Sequence, residues 1–190
     1  FLAERGLELS MEKTVITHID DGVDFLGYNF RKYKGKLLIK PSRKSIGSIT
    51  DKIRRTVKKA QAWTQDALIK ALNPITRGWT NYHRHNVAKE TFRDLDNYIW
   101  KVMWQWSRRR HPDKGRRWIA RKYWQPEGNR TWVFQTKENK LFKFSDVKIR
   151  RHSCPKLNAN PYLDRKYFLE RQERMKRQTP RIQTGLSFFV

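Results

Sequence analysis

Two stripes of apolar residues recur with the α-helical period and fix the centre of any fold this chain can adopt. Ile46, Ile49, Ile53, Val57 and Ala60 fall at steps of 3, 4, 4 and 3, and Phe92, Leu95, Ile99, Met103 and Trp106 repeat the same steps. Each set lies along one face of a helix, which must be buried against a partner. The second set predicts the strongest helix of the chain, with Pro112 just beyond its basic end as a stop. Between the two, Thr64 is placed to cap a short helix through Leu72. Asn73-Pro74 reads as the start of another, with Pro74 in its first position and Ile75, Trp79 and Tyr82 along one side. Residues 116–124 suggest one more short helix. The stretch 41–125 is therefore expected to be helical.

On either side the period changes. Residues 1–40 read as β: Leu7-Glu8-Leu9-Ser10 alternates and Thr14–Ile19 is rich in β-branched residues. Asp20-Asp21-Gly22 is a turn signal, after which Val23–Phe30 alternates again. Lys36–Lys40 is a further strand after Lys34-Gly35, and Pro41 closes the segment. In residues 126–190, Thr131–Phe134 and Lys140–Phe144 flank Lys137-Glu138-Asn139 as a hairpin would. A Pro- and Asn-rich loop follows, then a basic helix near residues 165–177. The fold class is α+β, with stretches 1–40, 41–125 and 126–190 differing in character.

Charge narrows the function. The 190 residues carry 43 Lys and Arg against 18 Asp and Glu, a net charge of +25. The first 40 residues hold 7 basic and 6 acidic side chains, whereas 41–125 hold 21 and 6, so most of the excess sits on the helical stretch. Such a surplus calls for a polyanionic partner, either nucleic acid or an anionic membrane surface. The aromatics are too scattered for a clean amphipathic anchor, and no apolar run is long enough to span a bilayer, which favours nucleic acid. A single cysteine, Cys154, excludes an intrachain disulfide and a multi-cysteine zinc site.

Catalytic signals are weak. Asp20-Asp21 resembles a carboxylate pair for Mg²⁺, but Asp-Gly after a β-branched run is hairpin chemistry, and no third acid stands in a comparable setting. His83 and His85 point about 200° apart on a helix, so they do not share a metal, and no metal site is expected. Binding has better support. Arg108, Arg109, Arg110, Lys114, Arg116, Arg117, Arg121 and Lys122 put eight positive charges into fifteen positions, with Asp113 the one acid among them. Trp104, Trp106, Trp118 and Trp124 frame the run. Basic side chains neutralise phosphates, and aromatic planes stack on unpaired bases. Helical spacing favours core packing for Trp100, Met103 and Trp106.

Several blocks in one order carry a resemblance. Asn73-Pro74-Ile75-Thr76-Arg77-Gly78-Trp79-Thr80-Asn81-Tyr82-His83-Arg84-His85, then Leu95-Asp96, Tyr98-Ile99-Trp100 and Trp106-Ser107-Arg108-Arg109-Arg110-His111-Pro112, resemble the maturase-specific region (domain X) of group II intron-encoded reverse transcriptases. Upstream, Arg5–Thr14 and Asp24–Phe30 resemble the last two blocks of that family's polymerase. Arg151-His152 and Ala159–Tyr162 resemble the segment after domain X. The resemblance implies a palm remnant over 1–40, a helical thumb and maturase domain over 41–125, and a basic DNA-binding-like region over 126–190. It also implies a primer grip at Phe25, Leu26, Gly27 and Tyr28, and a leaving-group acid at Lys13 in the intact enzyme. His83 stands where the family often has Tyr.

The function expected on this basis is binding of group II intron RNA to promote its folding and splicing. In the intact protein the chain would also clamp RNA template and cDNA during retrohoming. Arg77, Asn81, Arg84, Arg108, Arg109, Arg110, Arg116 and Arg117 are the expected RNA contacts, and Lys140, Lys143, Arg150 and Arg151 the expected contacts to target DNA. Trp79 and Tyr82 are expected to brace helices. The family's catalytic aspartates belong to a block upstream of Phe1, so this chain alone is not expected to polymerise DNA. No cofactor is expected in the chain itself; Mg²⁺ would serve the intact polymerase, whose upstream domain belongs to the same protein, and the intron ribozyme. The implied location is the cytoplasm or nucleoid of a bacterium, or an organelle. The competing reading is a generic basic protein that binds structured RNA without intron specificity.

Overall fold

In the computed structural model, residues 3–8, 10, 12, 14–150, 155–156 and 158–178 are described. Lys13, Arg151 and Cys154 lie outside them. The chain forms two compact units, Phe1–Arg151 and His152–Val190. No helix among the described residues is long and apolar enough to cross a membrane.

Helices α1 (Arg43–Lys59), α2 (Gln65–His83), α3 (Lys89–Arg110) and α4 (Arg116–Tyr123) build the first unit. Ser42 and Thr64 start the first two: Ser42 Oγ accepts the Ser45 N–H at 3.1 Å and Thr64 Oγ1 that of Ala67 at 3.2 Å. Both apolar stripes are buried. Ile49, Ile53, Val57 and Ala60 meet Leu68, Ile69 and Leu72 of α2 and Phe92, Leu95, Ile99, Met103 and Trp106 of α3 in one core. Trp106 Nε1 donates to Ala60 O at 2.8 Å, so the largest core side chain also satisfies the end of α1.

Residues 65–83 form one helix where the sequence suggested two, with Pro74 inside it. Proline removes one N–H and leaves the Lys70 carbonyl without its intrahelical donor. Lys70 is exposed, so that carbonyl is open to water. On the buried side hydroxyls brace the turn: Thr76 Oγ1 donates to Leu72 O and Asn73 O, and Thr80 Oγ1 to Thr76 O. The interior proline is tolerated because burial of both halves of α2 outweighs one lost bond.

Three strands form an antiparallel sheet, β1 (Val23–Phe25), β2 (Tyr28–Tyr33) and β3 (Lys36–Pro41). Val23–Phe30, which alternates like one strand, is a hairpin. Leu26 and Gly27 both take positive φ, 48° and 79°, as do Lys34 and Gly35 at the next turn, 47° and 79°. Two such residues in a two-residue loop match the twist of the flanking strands. The described residues between 7 and 19 do not form strands. Val15 and Ile16 are 79% and 99% exposed, and a β-branched run without a neighbour to pair with has nothing to hold it extended.

The second hairpin lies earlier than the sequence pattern placed it. β4 (Trp124–Glu127) pairs with β5 (Arg130–Phe134) around Gly128-Asn129. The expected partner segment beyond residue 139 contributes only a bridge between Gln135 and Lys140 and a Leu141 N–H bond to Phe134 O at 2.9 Å. Gly128, at φ 56°, supplies the tight turn and lets Trp124 and Phe134 enter the helical core together. The packing of the first unit thus runs past residue 125, through Phe144 and on to Ile149. In the second unit, Asn160 and Asp164 side chains hold the turn before helix α5 (Arg165–Gln178).

Phe92 is fully buried where α1, α2 and α3 meet. Phe92→Ala is expected to cost about 3–5 kcal/mol, read by urea unfolding; a loss below about 1 kcal/mol would place the core elsewhere.

Candidate nucleic-acid interface

The β1–β2 hairpin is locked to the end of α2. Tyr28 and Tyr82 rings stack at 4.9 Å, Tyr28 OH donates to Tyr82 O at 2.8 Å, and Tyr82 OH donates to Leu26 O at 2.7 Å. Burial, reinforced by Tyr82, pushes the Tyr28 phenol up to about 12. Beneath them His83 is fully buried, 4.3 Å from the Trp79 ring, with Nε2 3.0 Å from Ser45 Oγ and Nδ1 without a hydrogen-bond partner. Trp79 Nε1 donates to the same Ser45 Oγ at 3.0 Å. Trp79 and Tyr82 therefore brace, as their spacing suggested, and they brace a sheet as well as helices. Phe25 and Leu26 are left exposed at the hairpin tip, with Gly27 packed toward Ser45.

The cations sort into distinct places. A groove of about 730 Å³ runs between α1 and α3, lined by Arg54 and Lys58 on one side and Lys101, Arg109 and Arg110 on the other. Among the described residues no acidic side chain lines it. Arg108 and Arg109 are exposed at the end of α3, where the helix dipole favours positive charge. Arg110 is engaged: its guanidinium donates to Gln61 O and Trp63 O, each at 2.7 Å, and lies 4.8 Å from the Trp106 ring centroid. Arg116 and Arg117 are exposed in the first turn of α4. Burial holds the His111 pKa below its ordinary value, and the nearby Lys122, Arg110 and Lys114 charges push the same way.

Polar side chains of α2 and α3 fasten the segment after α4. Gln65 donates to Tyr123 O and Gln135 O, Asp66 accepts from Thr136 and Asn139, and Asn73 bonds both Lys140 O and the Phe142 N–H. Asp96 accepts the Phe144 and Ser145 N–H groups; burial raises its pKa, and these bonds work against the rise. Their roles as anchors are not visible in local spacing, because their partners, backbone groups for Gln65, Asn73 and Asp96 and the Thr136 and Asn139 side chains for Asp66, lie about 50 to 70 positions away. The result brings Arg77, expected on RNA, beside Lys140 and Lys143, expected on DNA, around one cleft.

Residues 46–124 match the family model of the group II intron, maturase-specific domain. That stretch is similar to a maturase-specific domain. The match runs from the first turn of α1 through α4 to the first residue of β4, and it ties this stretch to the splicing of group II introns. No curated protein matches the chain.

Within that stretch the expected contact residues do not form one patch. Arg109 and Arg110 face the α1–α3 groove, and Arg77 the cleft beside Phe142. Asn81 is exposed on α2, and Arg84, half-buried, packs beside His85. Arg54, Lys58 and Lys101 were missed as groove residues; the run of cations opposite the α1 stripe was the available signal. Among the described residues no three His, Cys, Asp or Glu side chains are grouped to hold a metal ion. Asp20 and Asp21 sit in an exposed turn, the Asp20 carbonyl accepting from Arg31 at 2.7 Å.

Two predictions follow from these contacts. Arg110→Ala should lower stability by about 1–3 kcal/mol, because two carbonyls lose a charged donor, whereas Arg108→Ala should stay within about 0.5 kcal/mol. Equal losses would mean that the Gln61 and Trp63 clamp is idle. Burial pushes the His83 pKa from 6.5 down to about 4. Between those values the unfolded chain takes a proton that the folded chain refuses. The stabilisation is therefore complete above pH 6.5 and is lost as pH falls toward 4, by about 3 kcal/mol in all. His83→Phe should flatten the unfolding free energy over that window; an unaltered profile would refute the assignment.

Proposed function

We propose that the maturase domain binds folded group II intron RNA through the groove between α1 and α3. By binding the active fold more tightly than its alternatives, it shifts the RNA toward the splicing-competent state. The observation that carries this reading is the groove itself, five cations on two rigid helices with no acid in its lining among the described residues. Helices packed through Ile53, Val57 and Met103 hold those charges at fixed spacing, so matching a phosphate backbone needs little reordering. Arg108, Arg116 and Arg117 extend the positive surface beyond the groove, and Arg77, Asn81 and Arg84 add contacts along α2.

On the same reading the splicing chemistry and its Mg²⁺ belong to the RNA, and the protein contributes binding energy. In an intact reverse transcriptase the hairpin tip at Phe25, Leu26, Gly27 and Tyr28 would grip the primer, while Lys13 would serve an upstream polymerase domain. Lys140, Lys143, Arg150 and Arg151 would hold target DNA by its phosphates during retrohoming. The setting would be a bacterial cytoplasm or nucleoid, or an organelle.

The test is competition between a group II intron RNA and an unrelated structured RNA of equal length at matched salt. Preference for the intron by about tenfold or more is expected; equal affinities would overturn intron recognition and leave generic RNA binding. The Arg54→Ala, Lys58→Ala, Lys101→Ala triple variant should weaken intron binding and reduce the log–log salt slope by about 2, at roughly 0.7–0.9 per phosphate contact. An unchanged slope would remove the groove from the interface.

A further inference from the structure

Four tryptophans meet where α3 faces the β4–β5 hairpin. Trp100 and Trp104 lie parallel, 5.7 Å between centroids and 6° between planes, and Trp132 stands edge-on to both at 6.4 Å. Trp124 joins them to the core, 5.1 Å from Trp104. The cluster is not closed: Trp100 is 40% exposed and Trp132 52%. Spacing alone assigns Trp100 to the core, so its exposure needs another cause. Both rings line a cleft of about 420 Å³.

The rim of that cleft is polar and partly neutralised. Arg130 makes a two-pronged pair with Asp146 at 2.6 and 2.7 Å, and Lys140 pairs with Glu127 at 2.7 Å. These pairs tie the hairpin wall in place and cancel their own charge. Arg77 and Lys143 line the cleft outside those pairs, the Arg77 guanidinium 5.4 Å from the Phe142 ring centroid. The site thus offers partly exposed aromatic walls together with two cations, Arg77 and Lys143, and Asp96 is the one further acid of its lining.

We infer that this cleft takes an unpaired nucleobase of a nucleic-acid strand, stacked on the face of one of the two near-perpendicular rings, Trp100 or Trp132, and edge-on to the other, with a flanking phosphate held by Arg77 or Lys143. Bases in a duplex have both faces covered by their neighbours and cannot enter, so the site selects single-stranded or extruded nucleotides. Stacking does not read the 2′-hydroxyl, so RNA and single-stranded DNA share the recognised chemistry. The inference deepens the RNA-binding reading and rests on it, while using a surface apart from the α1–α3 groove.

The experiment measures binding of the full chain to a short single-stranded RNA, a single-stranded DNA of the same sequence and a blunt RNA duplex, at matched salt. Trp100→Ala and Trp132→Ala should each weaken single-strand binding by about 5-fold to 100-fold, the range for loss of one base–aromatic stack. Duplex binding should change by less than about twofold and the salt slope should stay constant, since no phosphate contact is removed. Trp100→Phe should retain most of the affinity. Whichever strand loses affinity identifies the source of the base. Should Trp100→Ala unfold, Trp132→Ala, the more exposed of the two, carries the test. Loss shared equally by strand and duplex, or no loss, overturns the inference while leaving the groove reading intact. Absence of binding by the unaltered chain to every nucleic acid would overturn both.

Discussion

Burial of Phe92, Leu95, Ile99, Met103 and Trp106 along one side of α3 sets the positions of α1, α2 and the β4–β5 hairpin together. At about 1.5–3 kcal/mol for each large apolar side chain, this stripe supplies roughly 10 kcal/mol of gross burial, comparable to the whole net stability of a domain. The surplus must carry a net charge of +25, whose self-repulsion opposes compaction. The cost stays small where the cations sit on the outer sides of helices whose inner sides are apolar, as in α1 and α3. The pattern that makes the core is therefore the same pattern that makes the electropositive surface.

Charge is not distributed as a uniform coat. Where a cation is useful to the fold it is paired or bonded: Arg110 to two carbonyls, Arg130 to Asp146, Lys140 to Glu127, Lys70 to Asp66 at 2.7 Å. In the α1–α3 groove Lys58, Lys101 and Arg109 stand beside Arg110 and beside Arg54, which lies 3.9 Å from Asp51, with no acid in the lining itself among the described residues. Side chains repel one another there, which an isolated protein has no reason to keep. A polyanion removes that repulsion on binding, so the groove stores favourable interaction for the complex rather than for the free chain. The arginine run 108–110 contains both kinds within three residues, since Arg109 opens on the groove and Arg110 reaches back across it to the α1–α2 connection.

The helical part was legible because its information is local. The steps of 3 and 4 in α1 and α3, and the cap at Thr64, are visible within a few residues. So was the positive-φ turn at Gly35, whereas the alternation across Val23–Phe30 hid the one at Gly27 as strand. Illegible parts share one physical cause, contacts between residues far apart in the chain. Pro74 reads as a helix start until the burial on both its sides is known. Residues 14–19 read as strand because β-branching was visible and the lack of a partner was not. The hooks at Gln65, Asp66, Asn73 and Asp96 bond to groups far along the chain, backbone for three of them and side chains for Asp66, which no spacing rule encodes.

The same limit explains the tryptophans. Heptad-like spacing places Trp100, Met103 and Trp106 in one set, yet Met103 and Trp106 are buried while Trp100 is 40% exposed. A helix stripe is wider than the seam one partner can cover, and whether its margin is sealed depends on what packs beside it. Here the neighbour is the β4–β5 hairpin, which Arg130 ties to Asp146, next to the Phe144 and Ser145 N–H groups that Asp96 of α3 accepts, and Glu127 ties to Lys140. Those polar contacts set the distance at which Trp132 stands from Trp100. A hairpin seated closer would bury both rings and close the cleft. The open aromatic face is thus a product of the polar anchors, and the residues that create it are not the ones that line it.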